Sequence, residues 1–156
     1  MIISLTMKES KMKKILALFV CLFVISAVAC ADDDRPIRFN QLPASAQEYV
    51  QKYFPQEKVA LCKMESDLFN KKYEVIFTSS IKLEFYKNGD WKEIDCKYSA
   101  VPESVIPAAI LRYVKANYPE YKIVKIEKDS RDYEAKLTNG IELKFDKKFN
   151  LINIDN

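Results

Sequence analysis

The chain has 156 residues, 30% charged and 49% hydrophobic, with two glycines, four cysteines and no histidine. Its formal charge of +3 comes from residues 1–31, which carry four of the 25 basic side chains (Lys8, Lys11, Lys13, Lys14) and one of the 22 acidic ones (Glu9); residues 32–156 hold 21 of each. A remainder with no net charge excludes nucleic-acid binding by bulk attraction, which needs a concentrated basic face, and the lack of histidine excludes Ser-His-Asp and Cys-His triads and most zinc and iron sites.

From the start of the chain, Lys11, Lys13 and Lys14 precede an apolar run from Ile15 to Ala31 that only Ser26 interrupts. A basic stretch, an apolar stretch shorter than the about 20 residues of a membrane span, and small residues at its end predict a secretory signal over residues 1–31. Met1, Met7 and Met12 are all compatible starts. Cleavage after Ala31 leaves a soluble chain beginning at Asp32. The alternative is a bacterial lipoprotein box, Ala29-Cys30 followed by acidic residues, in which Cys30 is lipidated and retained; Ala27 stands where that box usually has Leu, Val or Ile. Either way the mature chain has no membrane span, and its expected location is the periplasm or the exterior, with an outer-membrane lipoprotein as the alternative. Residues 32–40 form a polar leader, whose Asp32-Asp33-Asp34 run lacks the spaced ligands and glycine of a calcium loop.

The rest of the chain repeats itself. Leu42-Pro43-Ala44-Ser45-Ala46-Gln47-Glu48-Tyr49-Val50 aligns with Ile106-Pro107-Ala108-Ala109-Ile110-Leu111-Arg112-Tyr113-Val114 at an offset of 64, and Phe54-Pro55 with Tyr118-Pro119. Tyr73-Glu74 then aligns with Tyr133-Glu134 at an offset of 60, as do Ile81-Lys82-Leu83-Glu84-Phe85 with Ile141-Glu142-Leu143-Lys144-Phe145 and Ile94-Asp95 with Ile154-Asp155. This predicts two units, residues 41–98 and 99–156. Each opens with a helix: Pro43 and Pro107 suit a first turn, where a missing N–H goes unpaired anyway. Apolar residues at spacings of three and four follow (Leu42, Ala46, Tyr49, Val50, Tyr53; Ile106, Ile110, Tyr113, Val114). Pro55 and Pro119 stop the helices. An earlier start of the second helix, near Pro102 or Glu103 with a kink at Pro107, is the alternative.

After each helix the period becomes two. Tyr73, Val75 and Phe77, then Ile81, Leu83 and Phe85, alternate with outward residues, and a leading strand is expected near 57–65. Asn88-Gly89 predicts a two-residue hairpin turn, and 138–140 a three-residue loop with Gly140 left-handed. From these turns Tyr86 is expected opposite Trp91, Leu83 opposite Ile94, Ile81 opposite Cys96, Glu84 opposite Glu93, and Leu137 opposite Ile141. In a simple meander Cys62 and Cys96 lie about three strand spacings apart, roughly 14 Å, beyond the roughly 7 Å between Cα atoms that a disulfide permits. Their 34-residue separation fits no metal motif.

An exported chain with two copies of Leu/Ile-Pro, a Tyr-Val helix face, a closing Phe/Tyr-Pro and paired Ile-x-Leu-x-Phe strands resembles the PepSY-like, beta-lactamase-inhibitor-like proteins of gut Bacteroidetes over about residues 37–156. The resemblance implies an α+β fold: two tandem α-β-β-β-β repeats forming one curved antiparallel sheet of about eight strands with the helices on one face. It also implies a binding or inhibitory role in the periplasm or outside the cell, and supplies no catalytic residue set.

The residues themselves agree with a non-enzyme. Both glycines are used in turns, and both later cysteines face the predicted core, so no catalytic, cofactor or metal residues are assigned. Glu84 and Glu93 are close enough across a hairpin to raise one pKa, although Lys82 and Lys92 stand nearby. On the outward face of the second unit Glu134 is expected against Lys144 and Lys136 against Glu142. In the first unit Ile76, Tyr86 and Trp91 fall there instead, a candidate contact patch for a protein or peptide partner. The expected function is therefore that of an exported, non-catalytic, inhibitor-like binding protein working through its open sheet face. The alternatives are a structural or assembly component of the envelope anchored at Cys30, and a carrier of a small apolar ligand held between sheet and helices.

Overall fold

A computed structural model describes residues 34–66 and 70–155. The signal-sequence and lipidation readings, including Cys30, lie outside the described residues. Among the described residues one antiparallel sheet of nine strands runs in strict chain order. Its strands are β1 (Arg35–Ile37), β2 (Val59–Ser66), β3 (Lys71–Phe77), β4 (Lys82–Tyr86), β5 (Trp91–Asp95), β6 (Ile123–Lys128), β7 (Asp132–Leu137), β8 (Glu142–Asp146) and β9 (Leu151–Asp155). Helix α1 (Ala44–Tyr53) precedes β2 and helix α2 (Ala108–Asn117) precedes β6, so a helix followed by four strands occurs twice.

The helices begin and end as their prolines dictate. The carbonyl of Pro43 accepts the amides of Ala46 and Gln47, and Pro107 stands in the same place before α2. At the other end the Phe54 and Tyr118 amides close the last turn on Val50 and Val114 before Pro55 and Pro119. The second helix does not start early: Glu103–Val105 is a separate 3-10 turn. Both helices lie on one face of the sheet, for Tyr49 meets Phe85 edge-on at 5.8 Å, Phe54 stacks on Phe77 at 5.7 Å, and Tyr113 meets Phe145 at 5.4 Å. The expected inward set (Tyr73, Val75, Phe77, Ile81, Leu83, Phe85, Ile94, Cys96) is buried throughout.

Four of the hairpins share one loop. Residues 78–80, 87–89, 138–140 and 147–149 each form a three-residue connection, in which the amide of the loop's third residue donates to the carbonyl of the residue before the loop, at 2.8–3.0 Å. The third residue is left-handed every time: Ser80 (φ 71), Gly89 (φ 84), Gly140 (φ 92) and Phe149 (φ 63). A three-residue loop whose last residue is left-handed is the commonest three-residue hairpin connection. Phe149 is unfavourable there by about 1–2 kcal/mol, and its ring packs on Tyr133 at 5.2 Å. Gly89 has a second constraint: a Cβ added to it would lie 2.0 Å from Ser45 Oγ and 2.8 Å from Pro43 Cβ at the start of α1.

Three expectations need correction. The leader is not featureless, because residues 35–37 pair with β2 as β1 (Arg35 with Met64, Ile37 with Cys62), which makes nine strands rather than eight; three residues are too few to show a period. The turn at Asn88-Gly89 is the middle and end of a three-residue loop, not a two-residue turn. Because of that extra residue and a bulge between Glu84 and Phe85, Trp91 stands opposite Phe85 and not Tyr86. Cys62 and Cys96, by contrast, agree with the expected strand spacing: they are buried free thiols, on β2 and just after β5.

Candidate functional site

The face opposite the helices is built by the outward residues of every strand. Cross-strand partners there form one unbroken row: Lys63, Glu74, Glu84, Glu93, Glu127, Glu134, Lys144, Asn153. Five glutamates stand directly opposite one another on five successive strands. Like charges so placed repel, and the three in the first half are also withdrawn from water, at 9%, 7% and 6% exposure for Glu74, Glu84 and Glu93.

Lysines from neighbouring positions make this possible. Lys82 bridges Glu84 (3.1 Å) and Glu93 (3.0 Å), Lys92 bridges Glu84 (3.3 Å) and Glu127 (3.5 Å), and Lys125 reaches Glu93 at 3.0 Å. Burial alone would push Glu84 and Glu93 up. The hydrogen bonds from Lys82 to Glu84 and from Lys125 and Lys82 to Glu93, with the charges of those lysines, outweigh burial and hold both carboxyls below their ordinary range. The pair is therefore doubly ionised at neutral pH, not the split acid and base that two close carboxylates can become. Glu74 differs. Among the described residues it has no ion pair within reach, and burial raises its pKa against the more distant pull of Lys82 and Lys63. Glu134 is raised by burial as well, with Glu142 adding to the effect. In the second half Glu134 faces Lys144 and Lys136 faces Glu142, as the alternation predicts, and Lys136 binds Glu142 at 2.7 Å.

The three predicted patch residues do not form one patch. Ile76 is on the open face, between Leu61 and Lys82, and Leu61 beside it is exposed. Tyr86 is on the same face opposite Lys72, and its hydroxyl donates to the carbonyl of Lys128 at 2.6 Å. Trp91 is on the helix side, half-buried against the core, because the bulge turns it over relative to Tyr86. Its ring supports the Lys128 ammonium, 4.6 Å from the ring centre.

Sequence reasoning missed the feature that results. Tyr86, Lys92, Lys128, Asp129, Ser130, Tyr133 and Lys147 line an open cleft of about 480 Å³ at the rim of the sheet. Lys147 lies 4.4 Å from the centre of the Tyr133 ring and donates to the carbonyls of Asp129 and Asp132. Lys128 has no ion pair among the described residues; burial lowers its pKa, with the Lys147 charge adding to that and Asp90 opposing it. Only the pairing of β5 with β6 brings these residues together, and α2 separates those strands in the chain, so no local pattern announces the cleft.

The remaining candidates carry little chemistry. Burial raises the Cys62 thiol and pushes Cys96 up to about 11, so neither is a ready nucleophile. Among the described residues no three His, Cys, Asp or Glu side chains are placed to hold a metal, and no helix is long and apolar enough to cross a membrane. Tyr49 presents a buried hydroxyl without a partner among the described residues, packed between Tyr53 and Phe85. Apolar clefts of about 280 Å³ and 260 Å³ lie at the ends of the two helices, beside Phe54 and beside Val114.

Comparison with known proteins gives a consistent picture. Residues 71–153 match the family described as "Putative beta-lactamase-inhibitor-like, PepSY-like". A solved structure from Bacteroides vulgatus ATCC 8482, described as a putative periplasmic protein of the DUF2874 family, is 59% identical, with a TM-score of 0.79 over 81% of this chain and 99% of that one. A protein from Bacteroides thetaiotaomicron, described as a putative calcium-regulated periplasmic protein, is 57% identical (TM-score 0.78, 80% of this chain, 98% of that one). A second B. vulgatus protein, described as a putative periplasmic protein of unknown function, is 44% identical (TM-score 0.75, 79% and 99%). None of the curated proteins matches.

Proposed function

The chain belongs to the PepSY-like, beta-lactamase-inhibitor-like family, and from that premise we propose that it is an exported, non-catalytic binding protein that recognises a protein or peptide through the open face of its sheet. The observation that carries this reading is the one-sided architecture. Both helices cover the same face, and the other presents a fixed lattice of alternating charge around a small apolar spot at Leu61 and Ile76. Such a lattice is preorganised: Glu84 and Glu93 are each held by two or more lysines, so a partner meets charges already in position, which favours specificity over raw affinity. Ile76 and Tyr86 are the contact residues of this reading, and Trp91 contributes from beneath the rim by holding Lys128. We read the two helix-and-four-strand halves as copies of one unit, the second having kept a plainer face. The relatives described as periplasmic support that location.

The absence of enzymatic activity in this reading rests on chemistry. There is no histidine, the Glu84–Glu93 pair is doubly ionised, and both described cysteines are buried with raised pKa values.

Affinity capture from the native envelope tests the proposal with three baits: the wild-type chain, the open-face double variant Leu61→Glu/Tyr86→Ala, and the helix-face variant Arg112→Glu. A partner retained by the wild type and the helix-face variant, but lost by a folded open-face variant, supports it. Equal capture by all three overturns it.

A further inference from the structure

The inward row of the sheet is as continuous as the outward one. Ile37, Cys62, Val75, Leu83, Ile94, Ile126, Ala135, Leu143 and Ile154 are successive cross-strand partners over all nine strands. From Cys62 to Leu143 every member is buried, and then Ile154 is 44% exposed. Ile94 holds the position equivalent to Ile154 at the offset of 60, in a strand of the same length after the same hairpin loop, and it is fully buried. The difference lies in the neighbours. β5 has β6 alongside, with Ile94 opposite Ile126, Asp95 opposite Lys125 and Glu93 opposite Glu127, whereas among the described strands β9 has β8 alone. The opposite edge of the sheet is guarded: β1 is three residues long with Pro36 at its centre, and proline offers no N–H to an incoming strand. β9 has no such guard.

We propose that the free edge of β9 is a docking site for an extended segment of a partner protein, which adds as a tenth, antiparallel strand. That segment places a branched aliphatic residue opposite Ile154 and a lysine opposite Asp155, as β6 does for Ile94 and Asp95. Edge addition of this kind draws affinity from main-chain hydrogen bonds and specificity from alternate side chains. Charge argues against a second copy of this chain as the occupant. A two-fold pairing about Ile154 sets Asp155 against Asn153 of the other copy, and one about Asn153 sets it against Leu151, so neither places a lysine opposite Asp155 as β6 places Lys125 opposite Asp95. Head-to-tail pairing with β1 meets Pro36. The site lies on the sheet's edge and does not depend on the open-face reading.

The probe is a blocked synthetic peptide with the sequence of residues 122–128, Lys-Ile-Val-Lys-Ile-Glu-Lys, compared with the same peptide carrying proline for its second isoleucine. Against the full mature chain, the first peptide should bind saturably and slow hydrogen exchange at β9 amides by about tenfold or more when bound, while the proline peptide should bind at least about tenfold more weakly. Ile154→Asp should abolish binding with little change in Tm, and Leu61→Glu on the open face should leave it intact. No saturable binding up to about 1 mM, equal binding of the two peptides, or binding unchanged by Ile154→Asp overturns the proposal. So does protection of β9 that grows with protein concentration in the absence of peptide, which identifies the occupant as a second copy.

Discussion

The β4–β5 hairpin and the β8–β9 hairpin share loop length, bulge position and inward pattern, yet they meet different surroundings. Gly89 packs against the start of α1 where its counterpart Phe149 packs on Tyr133; Ile94 is sealed where Ile154 is open. On the outward face Glu84 and Glu93 give way to Lys144 and Asn153. The burial of a strand residue is thus fixed as much by the next strand over as by its own sequence. Two hairpins with the same internal logic have come to hold, in one case, the sheet's interior and, in the other, its frontier.

Four pairs of substitutions, in these two hairpins and the strands and loops next to them, put this comparison at risk. The largest contrast is Ile94→Ala, which should cost about 3 kcal/mol, against Ile154→Ala at under about 1 kcal/mol, both read from urea unfolding. Equal losses would mean that β9 is covered in solution. Gly89→Ala should cost about 2–3 kcal/mol, since the new Cβ collides with Ser45 and Pro43 in a left-handed backbone. Gly140→Ala, with nothing within 4 Å of its Cβ, should cost only the backbone term of about 1 kcal/mol. Trp91→Ala should cost about 2 kcal/mol through lost packing and the lost seat for Lys128, and Leu151→Ala about 1 kcal/mol.

The smallest effect concerns pH. Glu74 and its counterpart Glu134 have raised folded pKa values, so their ionised forms weaken the fold at neutral pH, and that cost fades as pH falls through those raised values. Glu74→Gln and Glu134→Gln should both raise the urea midpoint at pH 7, with the gain vanishing at pH 3. Glu84 is the reverse. Its folded value is lowered, so it stabilises above the ordinary carboxylate pKa of about 4.3 and loses that contribution as pH falls through the lowered value. Glu84→Gln should lower the midpoint at pH 7 and converge with the wild type in acid.

Most of the scaffold was legible in local pattern. Alternation of apolar residues assigned the inward faces, the hairpin turns placed Leu83 against Ile94 and Leu137 against Ile141, and prolines marked both ends of both helices; Leu83 met Ile94 because the bulge offsets the extra loop residue. Two kinds of information were not local. A bulge adds one residue without changing composition, and that single residue moved Trp91 from the expected open face to the helix side and dissolved the Tyr86–Trp91 pair. The site suffered more than the fold for this reason, since one displaced side chain changes a patch but not a sheet. The second kind is pairing across α2. Each glutamate of the outward row could be assigned to its face from its own strand, but the continuity of five of them, and the Lys128 cleft, arise only when β5 and β6 meet.

The strict chain order of the strands also sets how the molecule comes into being. Every strand pairs with its neighbours in the chain, so the search for partners is short, and the widest loops any pairing must close are the two that contain a helix. Assembly can start at any of several hairpins and spread by zippering, which places this protein among the faster β-rich folders.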